Sequence, residues 1–277
     1  MIIIQPSLQL APAADNPLAT PAIGYHNLVT PANVSATSEA TDHPATNVAN
    51  PQTFNYWEAL DTSPATDQYI TLAVNADDPI DYVGIAGHNL GSAQCAVSIE
   101  AYNALAGSPL QPDWQEIVED VQLGDDGPAL FRWDPQAYIG VRIRIQPGTA
   151  VPRVAVVYCG KLLVFPRGTH TEHVPINLAR ELFIAPGMSE RGQYLGRIET
   201  GRSLSTTFNV KALSNAFVRN QLDAFLALSP AFFWAWASVD FPRDVGFCWL
   251  MNNPKPSYDF ETKLFNDVTF NLQGFAL

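Results

Sequence analysis

The chain has 277 residues, 47% of them apolar, enough for one large or two ordinary cores, which excludes a disordered chain. Its 15 Lys and Arg stand against 27 Asp and Glu, a formal net charge of −12 that is unevenly placed: residues 1–131 hold 16 acidic residues and no Lys or Arg, and residues 132–277 hold 15 basic and 11 acidic ones. Phosphate is repelled by so acidic a first half, and the second half has no Lys/Arg cluster, so the pattern predicts no direct nucleic-acid recognition.

In chain order, residues 1–22 contain Pro6, Pro12, Pro17 and Pro21, a spacing that predicts an extended arm with room for one strand at residues 2–4. The first ten residues are mildly apolar, but no Lys or Arg precedes them and Gln5 and Pro6 interrupt them, so no signal peptide is expected. Residues 30–55 are rich in Ala, Thr, Asn, Ser and Pro and read as a long surface excursion ending at Tyr56-Trp57.

Alternation follows. Ile70, Leu72 and Val74 point one way, and Val83 with Ile85 makes another apolar face after the turn Asp77-Asp78-Pro79. Val97, Ile99 and Ala101 alternate with Ser98 and Glu100; residues 114–121 read as a strand; and Ile139, Val141, Ile143 and Ile145 alternate with Arg142 and Arg144. Residues 154–158 and 162–165 are further strands. Short strands between turn signals predict an antiparallel sandwich rather than a βαβ sheet.

A boundary is expected between residues 166 and 175. Beyond it, Gly187, Gly192, Gly196 and Gly201 are spaced by short charged segments, and Leu204, Thr206, Phe208 and Val210 alternate as a strand. Residues 212–228 switch to a helical period, with Ser214 as N-cap and Pro230 as the stop. The run Phe232-Phe233-Trp234-Ala235-Trp236 reads as a buried or an interface strand, and residues 245–250 and 268–272 as further strands.

Catalytic and metal motifs are absent from this pattern. There is no Gly-x-Ser-x-Gly elbow, His-Glu-x-x-His, P-loop or Gly-x-Gly-x-x-Gly. His170 and His173 flank Glu172 in a linker, and Asp77, Asp78 and Asp81, like Asp125-Asp126, suit turns better than a calcium loop. Glu116 and Asp120 are the sort of carboxylate pair a glycoside hydrolase needs, but nothing singles them out. His88, in a tight turn, is expected to make a structural hydrogen bond. Cys95, Cys159 and Cys248 are odd in number and far apart, which predicts neither disulfides nor zinc and suits a reducing compartment. No apolar run is long enough to span a bilayer, so no membrane insertion is expected. The expectation is therefore no enzyme, no cofactor and no bound metal.

Charged residues are only 15%, against about 25% in an average soluble protein, and 30 residues are aromatic. Two explanations stand open: surfaces covered by partners, or a β protein with a hydroxyl and amide surface. Trp57, Trp114 and Trp133 read either as core or as rings that stack on sugars.

Ala45-Thr46-Asn47-Val48 before the loop to Trp57, the strand at 69–74, the stretch Ile80-Asp81-Tyr82-Val83-Gly84-Ile85-Ala86-Gly87-His88-Asn89-Leu90 and the arginine-bearing strand at 138–145 come in that order. Residues 40–165 in this respect resemble the galactose-binding-like, or discoidin-like, jelly-roll family. The resemblance implies a sandwich whose loops at one end bind sugars or lipids. Gly196-Arg197 and Gly201-Arg202, an alternating strand, one helix, an aromatic strand and a final strand make residues 176–277 similar to the tail-tube-like domain of distal tail proteins from long-tailed bacteriophages.

The resulting expectation is a mainly β chain: an arm at 1–22, a galactose-binding-like jelly-roll sandwich at 23–168, and a smaller tail-tube-like β-sandwich at 169–277 with one packed helix near 212–228. The function implied by the resemblance is a structural virion protein of a phage tail tip or baseplate. It would form a homo-oligomeric ring connecting the tail tube to distal components, with tape-measure and hub or fibre proteins as partners. The assembly interface is assigned to Arg197, Arg202, Phe232, Phe233, Trp234 and Trp236. The alternative is a carbohydrate-binding module for host-surface attachment, with sugar contacts at Tyr56, Trp57 and Trp133 and a host glycan as partner.

Overall fold

A computed structural model describes residues 1–12, 16–60, 66–103, 113–170, 173–258 and 263–275. They divide into two compact units. Met1–Pro166 and Phe232–Val245 form the first, and Arg167–Ala231 with Gly246–Leu277 the second.

The first unit is a jelly-roll sandwich. One sheet runs in the order Ile2–Ile4, Ala129–Gln136, Ile80–His88, Arg153–Gly160, Trp57–Glu58, parallel only at its first pair. The facing sheet runs Val34–Ala36, Gln68–Leu72, Gly140–Ile145, Ala96–Tyr102, Gln115–Gln122, antiparallel throughout. The period-2 residues make the core between them: Ile70, Leu72, Val83, Ile85, Val97, Ile99, Val141, Ile143 and Ile145 are all buried. Ile139 departs from its expected face and is 36% exposed, because the strand starts one residue later, at Gly140.

Three further strands of this unit pair in the order Leu163–Val164, Ala22–Gly24, Phe232–Ala235. Phe232, Phe233 and Trp234 are fully buried in it. Phe233 meets Tyr158 edge-on at 5.6 Å between ring centroids, and Trp234 meets Phe165 at 6.5 Å. A methyl group on Gly84 would lie 2.6 Å from the Phe233 ring, so the missing side chain is what admits that ring.

The predicted arm is tied down. Ile2–Ile4 extends a sheet edge, and Pro6–Leu10 is a short helix with proline in its first turn, where no N–H is needed, and Leu8 fully buried. Arg132, the first basic residue of the chain, is fully buried and donates to Asn16 Oδ1 and to the carbonyl of Pro17 at 3.1 Å. Desolvation lowers its pKa to about 10, against the opposing pull of Asp81.

The second unit has a sheet ordered Val245–Leu250 (from Gly246 on), Phe265–Gly274, Tyr194–Ser214, Arg180–Met188. Its buried face carries Phe208, Val210, Val268, Phe270 and Leu272, with Phe208 and Phe270 stacked at 4.5 Å. The predicted helix runs from Asn215 to Leu228 and not from 212, because residues 212–214 still belong to the preceding strand. Ser214 Oγ accepts from Phe217 N at 3.2 Å, and the last turn closes on Ser229 in the left-handed region, at φ 43°, just before Pro230. A π-helical turn interrupts it at Val218–Leu222.

One element of this unit carries its apolar residues outward. Arg180–Met188 pairs with the first half of Tyr194–Ser214 as a two-stranded ribbon, turning at Gly192, φ 76°. Phe183, Met188, Tyr194, Leu195 and Ile198 on it are 52–71% exposed.

Candidate functional site

The two-residue strand Trp57–Glu58 organises one end of the sandwich. It pairs with Arg153–Gly160 in the register Glu58↔Arg153 and Trp57↔Val154. Trp57 points into the core and donates its indole N–H to the Ser38 carbonyl at 2.8 Å. Strand alternation then turns Tyr56 and Glu58 outward.

Two loops frame this edge. The loop ending at His43 lies along it, with Ala40 N donating to Glu58 O at 2.9 Å and Glu58 N to His43 O at 3.3 Å. The 3-10 turn Ala45–Ala49 buries Ala45 and Val48, and Asn47 donates from Nδ2 to the Tyr56 carbonyl at 3.0 Å. The Ala-Thr-Asn-Val motif therefore sets the position of Tyr56.

The resulting surface combines flat rings with polar groups. His43 and Tyr56 stack at 4.1 Å with an interplanar angle of 11°. The Arg153 guanidinium lies 5.4 Å from the Tyr56 centroid and pairs with Glu58 at 2.5 Å. Asn89 braces Arg153, accepting from its backbone N–H at 2.8 Å while donating to Val151 O at 2.8 Å. Asn50, Gln52 and Asn55 join through side-chain amides, and Phe54 beside them is 72% exposed. Such a surface offers the exposed Phe54 ring and the rim of the His43–Tyr56 stack to apolar C–H groups, and a few fixed donors and acceptors to hydroxyls.

Of the predicted sugar contacts, only Tyr56 lies on this surface. Trp57 and Trp133 are corrected to core residues, fully buried, with the Trp133 indole N–H donating to Ile80 O at 3.0 Å. A strand residue facing the opposite sheet has both ring faces packed and none left for a ligand. Sequence reasoning missed His43, Glu58 and Arg153. Glu58 had a signal in its position two residues from Tyr56 on an alternating strand.

The predicted assembly residues separate in the same way. Phe232, Phe233 and Trp234 are interior to the first unit, so they are corrected from interface to core. Trp236 stacks on Phe241 at 5.0 Å and donates to Asp244 at 3.1 Å. Arg202 pairs with Glu199 on its own strand, and Arg197 is exposed on the ribbon.

Several of the remaining candidates have structural partners. Asp81 accepts from Leu162 N at 2.7 Å, Asp126 from Ser92 N at 2.8 Å and Asp125 from Gly127 N at 3.0 Å. Among the described residues no three His, Cys, Asp or Glu gather as metal ligands; Glu172 lies outside them. Glu116 and Asp120 both approach the Arg144 guanidinium, at 3.9 and 3.8 Å, rather than face each other across a cleft. Desolvation, then Asp120, raises the Glu116 pKa. Trp114 is half-buried with the Arg142 guanidinium 4.3 Å from its ring. All three cysteines are free and buried, and burial pushes the Cys159 and Cys248 thiols up. A cavity of about 120 Å³ beside Met1, Leu123, Asp125 and Arg243 is smaller than the ~300–1,000 Å³ of small-molecule pockets.

No protein-family model matches the chain, and no curated protein matches it. Solved structures are similar to it over about half its length. Chitosan-binding module 1 of a Paenibacillus sp. IK-5 chitosanase/glucanase is 16% identical with a TM-score of 0.41, over 49% of this chain and 98% of that one. Module 2 of that enzyme, solved with chitotriose, is 16% identical with a TM-score of 0.41, over 48% and 99%. The family 32 carbohydrate-binding module of C. perfringens NanJ, solved with galactose, is 15% identical with a TM-score of 0.38, over 50% and 98%. These neighbours are carbohydrate-binding modules of the galactose-binding-like fold.

Proposed function

We propose that the first unit is a non-catalytic carbohydrate-binding module that attaches the protein to a host-surface glycan. The observation that supports this reading is the convergence on one sandwich end of the stacked His43–Tyr56 pair, exposed Phe54, the Arg153–Glu58 pair and three side-chain amides. Tyr56→Ala removes the central ring from a half-buried position, so the fold should persist. Binding on a glycan array is expected to fall at least about tenfold, in line with an aromatic hot spot. A wild-type protein with no array signal and no cell-wall retention ends this reading.

A second reading concerns the whole chain: a structural protein of a long-tailed phage tail tip or baseplate, forming a ring between the tail tube and distal components in the virion. The exposed ribbon at Arg180–Met188 favours it. Two strands alone are marginal in water, and clustered exposed apolar side chains mark interfaces. Such a ring would carry the binding modules, so the two readings are compatible. Mass photometry should show a discrete oligomer, shifted to monomer by Leu195→Glu with Ile198→Glu. A wild type monomeric at every concentration, and unable to join tails in a complementation assay, would remove the assembly reading.

A further inference from the structure

We infer that the strand Arg180–Met188 is a self-pairing edge, at which two copies of the chain join antiparallel about a two-fold axis into one continuous sheet; this rests on the assembly reading above and names its contact. The strand is the last in its sheet, so one side of its backbone has no neighbouring strand among the described residues. From Leu182 to Ser189 it carries no charged side chain, and Leu182, Phe183 and Ile184 are 44%, 52% and 39% exposed. Stable monomers blunt such edges with charges, bulges or proline. Within Leu182–Ala185 there is none of these, and Pro186 ends the stretch.

The shape of the ribbon selects a second copy of the same edge. A head-to-tail contact would set this strand against the other open side of the ribbon, residues 194–203, which Phe265–Gly274 leaves bare because its pairing starts at Leu204. That side is bulged twice. Phe183 pairs with Gly201 and Ile184 with Glu199, which leaves Thr200 as an extra residue; Gly187 pairs with Gly196 and Met188 with Tyr194, which leaves Leu195 as another. Bulges break the regular spacing of N–H and C=O groups, so the regular Leu182–Ala185 edge finds a matching ladder in its own copy. An axis at Phe183 sets Leu182 against Ile184 of the second copy, and Arg180 and Glu181 against its Pro186 and Ala185, so no like charges meet. Charge elsewhere agrees. Met1–Pro166 with Phe232–Val245 holds 19 acidic and 6 basic residues, a net −13 that repels its own copies, whereas the ribbon from Arg180 to Ser203 holds 4 basic and 3 acidic ones. A two-fold contact closes after two copies, so a ring that contains it holds an even number of them.

The test is a cysteine scan of the full chain, with Leu182→Cys, Phe183→Cys and Ile184→Cys made singly and the equally exposed Met188→Cys as control. The native cysteines are free and buried, so they add no bridge. Facing residues of an antiparallel pair lie about 4.5–5.5 Å apart, within disulfide reach, only where a residue meets its own copy near the axis. Mild oxidation should therefore link one of the three positions to itself several-fold faster than Met188→Cys. Leu182→Lys with Ile184→Lys should weaken self-association in sedimentation at least about tenfold, with the circular dichroism retained. An oligomer that links at none of the three positions, or that is indifferent to the two lysines, would overturn the edge pairing and leave the assembly reading standing. A chain that is monomeric alone, with amides at 182–185 protected from exchange only in assembled tails, would give the edge to another tail protein and overturn self-pairing. A chain that is monomeric alone and does not enter tails ends both.

Discussion

At the scale of single residues, His88 shows how burial sets a charge state. Its Nε2–H donates to Gly127 O at 2.9 Å, and its Nδ1 accepts from Leu90 N at 3.3 Å, so both ring nitrogens are used by the neutral form. Desolvation holds its pKa down to about 4 from 6.5, against the opposing pull of the Gly127 bond. Between those values the unfolded chain binds more protons than the folded one. The contribution is therefore complete above about pH 6.5 and is lost as pH falls towards 4. His88 alone should contribute about 2 kcal/mol to the difference between chemical denaturation at pH 7.5 and at pH 5. His88→Gln should lower stability at pH 7.5 and flatten this dependence; a variant as pH-sensitive as the wild type would show that His88 is not the group responsible. The structural hydrogen bond was legible from the tight turn around His88. Tyr56 was legible as an aromatic ending a polar excursion, but Arg153 was not, because its approach depends on which strands pair.

At the scale of elements, alternation made most sandwich strands readable, since each has one face buried and one wet. The ribbon escaped this reading because neither of its faces is buried, so apolar and charged residues follow no period. Residues 30–55 read as a loop for a related reason. The loop and 3-10 turn that frame the site are held by side-chain and backbone bonds rather than by a periodic face. The run at Phe232–Ala235 was readable as a strand, but not its unit, since sheet membership is a long-range property. Phe233→Ala would empty the space between Tyr158 and Gly84, and about 3–5 kcal/mol of destabilisation is expected in thermal or denaturant unfolding. A loss under about 1 kcal/mol would mean that this strand is not integral to the unit.

At the scale of the whole molecule, the charge asymmetry follows the units rather than the sequence halves. The first unit carries −13, whereas Arg167–Ala231 with Gly246–Leu277 holds 9 basic and 8 acidic residues, a net +1. The break at residue 132 marked only where the first arginine was needed inside a core. An acidic sandwich repels its own copies, and a nearly neutral second unit does not, which is the distribution expected if copies meet through the second.

The return of Phe232–Val245 to the first unit also bears on the order of biosynthesis. A ribosome that has finished Pro166 has not yet made the strand that flanks Ala22–Gly24, and synthesis must reach Val245 before the sandwich owns all of its parts. At about 5–20 residues per second that interval lasts roughly 4–16 s, during which Tyr158 and Phe165 lack their aromatic partners and a strand edge stands open to other nascent chains.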